Sequence, residues 1–114
     1  MHIVTALPHM HRMGTGFTAT LLGGAHDGQR FIDSPGYAPE TTVWQEFTPA
    51  VDLGTAEGAR FSCTWNNTLD ATLEWGVGDN EMCVLFGYAY PPENTYSVLA
   101  SGESCARFLP FAGQ

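Results

Sequence analysis

The sequence predicts an all-β protein, an antiparallel, jelly-roll-like β-sandwich. Three observations carry this. Apolar residues at helical spacing are nearly absent. Thirteen glycines and seven prolines break the chain into short runs. Those runs are rich in Val, Ile, Thr, Phe, Tyr and Trp, the side chains that suit a pleated, half-buried surface. Many short strands separated by turn residues are the pattern of a sandwich or jelly roll.

The elements follow in order. "HIVTAL" opens the chain as a strand that continues through "VTALPHMH", and "GFTATLL" is the next. Residues 23–29, "GGAHDGQ", have the composition of a hairpin turn. Residues 33–40, "DSPGYAPE", form a loop, and "TTVWQEF", "ARFSCTW", "ATLEWGV" and "MCVLFGYAY" are further strands. Residues 90–95, "YPPENT", form another loop, and "SGESCARF" gives the one hint of a helical turn. No repeat or internal linker interrupts the series, so residues 1–114 form a single domain.

Composition narrows the partners. Twelve acids against four arginines, with no lysine, give a formal charge of −8. Such a chain is repelled by phosphate backbones and anionic bilayers, which argues against nucleic acid and membrane surfaces. No apolar run reaches the length of a membrane span. The start, "MHIVTALPH", lacks the basic and long apolar segments of a secretory leader. The hydrophobic fraction of 44% is enough for a real core. Three cysteines, Cys63, Cys83 and Cys105, suggest one pair and one left over, and a disulfide would fit an oxidising compartment.

The chemistry concentrates in two stretches. In "PHMHRMG" a strand would alternate its side chains, sending His9 and His11 to one face and Met10 to the other. That is the geometry of a two-histidine metal site, although two exposed histidines would leave the same trace. The second stretch is "FSCTWNNTLDATLEWGVGDNEMCVLFGYAYP". Here Cys63 and Cys83 flank an irregular excursion, and Met82 lies beside Cys83. A thioether is a soft, neutral donor that favours Cu(I) over zinc or hard cations. Core filling is the other use of a methionine in such a place. Asp79 and Glu81 either tune the site or cap a turn.

"HMHRMG", then "VWQEF", "GARFSCTWNNT", "LEWGVGDNEMC" and "YAYP", resemble the C-terminal copper domain of the copper type II, ascorbate-dependent monooxygenases. This is the family of dopamine beta-monooxygenase and peptidylglycine alpha-hydroxylating monooxygenase. The resemblance runs from about residue 1 to residue 91, and its most specific pieces are His-x-His-x-x-Gly and Glu-Met-Cys in this order. It implies a jelly-roll-like sandwich with one copper per chain, held by His9, His11 and Met82. It implies a disulfide between Cys63 and Cys83, which leaves Cys105 unpaired. It also implies dioxygen activation for C–H hydroxylation of a small-molecule substrate, with ascorbate as reductant, in a secreted, periplasmic or extracellular setting.

The sequence departs from the family in three ways. The family pairs this domain with a second, three-histidine copper domain. Only His2 and His26 remain here, so the partner domain would lie upstream or on another chain. The positions that hold a peptide substrate in the amidating branch are Leu7, Val84 and Phe86, which argues against a peptidyl-glycine substrate. The family's strands before His-x-His have no counterpart, so the chain reads as a domain lacking its upstream strands. The lone site leaves a second reading, a non-catalytic copper-binding or assembly module. The cupins also use His-x-His, but they want a glutamate soon after it, and "RMGTGFTAT" has no acid. His26 reads as part of a solvated turn.

Overall fold

The computed structural model describes residues 1–37, 44–91, 95–99 and 105–110, the last two segments as backbone strands. Eight strands succeed one another: β1 (His2–His9), β2 (Gly14–Leu22), β3 (Arg30–Ser34), β4 (Gln45–Asp52), β5 (Gly58–Trp65), β6 (Val84–Tyr90), β7 (Thr95–Leu99) and β8 (Cys105–Pro110). They form a three-stranded sheet, β4-β1-β6, and a five-stranded sheet, β3-β2-β5-β8-β7. The pairings are antiparallel throughout. No helix occurs among the described residues, and none is long and apolar enough to cross a membrane. The all-β antiparallel sandwich is therefore the class the sequence predicts.

Side-chain alternation explains how the sheets bury a core. Along β2, Phe17, Ala19 and Leu21 are buried while Thr18, Thr20 and Leu22 are not. Ala6, Met10, Phe17, Ala19, Ile32 and Phe61 form the main cluster, with Phe47 and Leu85 of the smaller sheet packed against it. The rings of Phe17 and Phe61 stack at 5.9 Å within the larger sheet, and those of Phe31 and Phe47 meet edge to face at 6.2 Å between the sheets. In β1 the register shifts between Ile3 and Thr5. That shift resets the alternation, so that Ile3 and Ala6 both reach the interior. From Ala6 onward, Leu7 and His9 face outward.

Several local expectations are corrected. The segment "ATLEWGV" is not a strand: it is irregular apart from a single bridge between Trp75 and Glu81. Its apolar residues find no face to bury, since Trp75 and Val77 are 72% and 77% exposed. The hint of a helix in "SGESCARF" fails at its C-terminal half, because Cys105 pairs with Arg60 as the first residue of β8; residues 101–104 lie outside the described residues. β1 ends at His9 rather than running on through His11. The loop at 33–40 begins only after β3, which includes Asp33 and Ser34, and its last residues, 38–40, lie outside the described residues.

Replacing Phe17 with alanine removes a ring that is 1% exposed, and urea titration should show a loss of about 3–5 kcal/mol. Acid sensitivity has a separate source at the end of β4. Asp52 accepts the N–H of Gly54 at 2.9 Å and lies 3.7 Å from His2 and 3.6 Å from His26. The Gly54 hydrogen bond, aided by the two histidines, holds its carboxyl below the usual aspartate range. The contribution of Asp52 to stability is therefore present above the unfolded value of about 3.9 and lost as pH falls through the lower folded value. Melting curves of the native chain and Asp52→Asn should differ above that window and converge below it.

Candidate metal centre

The His-x-His stretch is a turn hung on the end of β1. The N–H of Gly14 donates to the His11 carbonyl at 2.9 Å, reversing the chain into β2. Gly14 is buried, and a Cβ there would fall on the side chain of Met10, itself 2% exposed. The glycine of His-x-His-x-x-Gly thus makes room for the methionine between the two histidines. Met10 turns inward, and His9 and His11 come together on the other side. Their ring centroids are 5.2 Å apart, edge to face. Two imidazoles that share one ion have centroids at most about 6.4 Å apart, given metal–nitrogen distances of ~2.0–2.1 Å. The pair is within that span although His11 is outside the strand.

One ring is held in a fixed tautomer. His11 Nδ1 lies 2.6 Å from the Asn80 carbonyl oxygen, which can only accept. Nδ1 therefore carries the proton, which leaves the ring's lone pair on Nε2. This is how a protein prepares a histidine to ligate a metal through Nε2. His9 is placed by the sheet: it pairs with Val84 of β6, and its ring meets that of Phe86 at 6.1 Å.

Glu81 fixes the turn. It is 7% exposed, and its carboxylate accepts the backbone N–H of His11 at 3.0 Å, the N–H of Met13 at 2.8 Å and the indole N–H of Trp65 at 2.9 Å. Its own backbone is held too, donating to Glu74 and accepting from Gly76, each at 3.0 Å. An exposed ion pair between Arg12 and Asp79, 2.9 Å, and a bond from Asn66 N–H to the Met13 carbonyl, 2.9 Å, tie the same turn to the excursion. Glu81 therefore does more than tune or cap: it joins the histidine turn to the methionine segment.

Met82 stands between two residues that face inward. Glu81 is buried, and Cys83 packs against the core cluster that includes Met10. In an extended chain the residue between two inward neighbours faces the opposite way. The last β1–β6 pair is His9 with Val84, and Met82 lies two residues before Val84 in the chain. Cys63 and Cys83 form a disulfide with Cα atoms 6.0 Å apart. It joins the end of β5 to the segment entering β6 and brackets the excursion.

The remaining expectations fall elsewhere. Leu7, Val84 and Phe86 share the outer face with His9. His26 lies in the turn after β2 and faces Asp52, as does His2. The backbone of Cys105 is in β8, and its thiol lies outside the described residues. The excursion encloses an open hollow of about 880 Å³, lined by Trp65, Leu69, Leu73, Trp75 and Glu81 among others. Among the described residues no group of three or more His, Cys, Asp or Glu is placed to hold a metal. The sequence reading missed the Asn80 carbonyl, a backbone atom that no residue identity announces. It missed the three-donor role of Glu81 as well, for which an acid beside an apolar Met-Cys-Val run was the available signal.

Comparison with protein-family models gives no match, and no curated protein or solved structure shows significant similarity to the chain.

Glu81→Gln replaces an acceptor oxygen with a donor and leaves at least one buried N–H without a partner. Urea titration should register a loss of about 1.5–3 kcal/mol for each bond to the charged group that is broken. Trp65→Phe, which removes a single donor, should cost less.

Proposed function

We propose that this chain binds one copper ion through His9, His11 and Met82, and that it serves as the oxygen-activating domain of a copper-dependent monooxygenase. The observation that carries the proposal is the pair of rings 5.2 Å apart, with His11 Nδ1 bonded to the Asn80 carbonyl so that Nε2 is the nitrogen left to hold an ion. The residues fit the ion. Two neutral imidazoles and a thioether are a donor set suited to Cu(I). Copper bound there would supply one-electron redox chemistry toward dioxygen. The family resemblance rests on the motif residues, and the jelly-roll winding of that family, ascorbate as reductant and an extracytoplasmic location come with it.

The chain's own residues divide the work. Asn80 and Glu81 orient His11 from behind. The Cys63–Cys83 bond fixes the segment that presents Met82. Phe86 packs beside His9 and limits water on that flank. Leu7, Val84 and Phe86 offer an apolar approach with no group to grip a peptide carboxylate, which favours a small, largely apolar substrate.

A second reading is a copper-binding or assembly module without catalysis. What favours it is the engagement of the other two histidines, His2 and His26, with Asp52. Oxygen uptake driven by ascorbate separates the two readings. Uptake by the copper-loaded chain that is lost in His9→Ala supports the catalytic reading, and no uptake supports the module.

Competition with a chromophoric Cu(I) chelator should find one ion per chain. Met82→Ala should weaken binding by about 10- to 100-fold, with His11→Ala at least as damaging. Met10→Leu, on the buried side of the turn, should leave it unchanged. Equal affinity for the native chain and Met82→Ala removes the thioether from the site.

A further inference from the structure

Among the described residues, the smaller sheet ends in a strand with no charge, no proline and no neighbouring strand at its outer edge. β6 pairs with β1 along its whole length, from Tyr90 opposite His2 to Val84 opposite His9, and among the described residues its outer edge meets no other strand. Exposed edges are normally protected by charge, proline or a covering segment. The other edge of the same sheet, β4, carries Glu46, Pro49 and Asp52, and β3 carries Arg30 and Asp33. β6 reads "VLFGYAY", with no charge and no proline.

Its outer face is aromatic and exposed: Phe86 at 47%, Tyr88 at 64% and Tyr90 at 50%. Each ring is propped by a neighbour. His9 meets Phe86 at 6.1 Å, Trp44 meets Tyr88 at 5.2 Å and His2 stacks on Tyr90 at 5.2 Å. A row already held in place loses little freedom when something docks on it.

We propose that two copies of this chain associate through β6, antiparallel about a two-fold axis at Gly87. Charge selects this strip for self-association. At −8 per chain two copies repel across most of their surface, and the uncharged seven-residue edge lets them meet without opposing like charges. The strand is also self-complementary. With Gly87 at the centre, Phe86 of each copy lies opposite Tyr88 of the other, giving two aromatic cross-strand pairs. Leu85 and Ala89 align likewise, and the two small sheets become one of six strands, β4-β1-β6-β6-β1-β4. In this register Tyr90 of the second copy lies opposite Val84, which itself pairs with His9, so each histidine pair gains a phenol two strands away on its own face. The association needs no metal and stands apart from the copper reading.

A single strand pairing falls below the ~1,200 Å² of a stable interface, so the dimer is reversible and populated above roughly 10–100 μM. Sedimentation equilibrium tests it in a Cys105→Ser background, where no disulfide through that residue can join two copies. The native edge should show a monomer–dimer equilibrium. Phe86→Lys and Tyr88→Glu should each be monomeric. Their equimolar mixture should form a one-to-one heterodimer, because the introduced lysine of one copy then faces the introduced glutamate of the other while the remaining Phe86–Tyr88 pair survives. Amide exchange on the unaltered edge, which needs no substitution there, should show protection of residues 84–90 that grows with protein concentration. A chain that stays monomeric at millimolar concentration, single variants that dimerise like the parent, or a mixture that stays monomeric would each overturn the proposal.

Discussion

The carboxylate of Glu81 is the constraint on which the candidate site depends. A buried acid needs donors, and here it has three: two backbone N–H groups of the histidine turn and the indole of Trp65. The bond from Met13 is buried and so counts for more than one at the surface, and those from His11 and Trp65 are part-buried. The consequence is geometric. The turn after β1 and the segment before β6 are about 70 residues apart in sequence, and one side chain holds them at fixed distance. Asn80 and Met82, the flanking residues, are placed by the same anchor. The carbonyl of the first sets the His11 ring, and the second links Glu81 to the disulfide at Cys83.

The disulfide and the glycine complete the frame from the other direction. The Cys63–Cys83 bond ties β5, in the larger sheet, to the segment that enters β6, in the smaller one. The long excursion between them has few packed contacts of its own, as the exposure of Trp75 and Val77 shows. Without the disulfide and the Glu81 hydrogen bonds, both at its base, little would hold it against the histidine turn. Gly14 allows Met10 to fold beneath that turn, and the burial of Met10 leaves the two histidines on the outer side.

Much of this was legible in the residues. The run "GFTATLL" announced β2, and the structure adds that Phe17, Ala19 and Leu21 are its buried residues. His-x-His correctly announced two rings on one side, even though the strand stops at His9, because the turn closed by Gly14 keeps them together. "ATLEWGV" misled because its apolar content suits a strand, while Gly76, Gly78 and the Asp79–Asn80 turn give it no partner to pair with. The pattern of one strand cannot show which neighbour it will meet, so the sheet orders and the edge position of β6 were out of reach. The Asn80 carbonyl was invisible for a simpler reason: every residue has one, and only the fold decides which of them meets a histidine.

The central claim is that this frame places two imidazoles and one thioether on a single ion. X-ray absorption at the copper edge of the Cu(I)-loaded chain measures that directly. The account predicts a shell of two imidazole nitrogens and one sulfur, with the sulfur gone in Met82→Ala. A shell of nitrogen and oxygen alone, or a sulfur that persists in Met82→Ala, would contradict it.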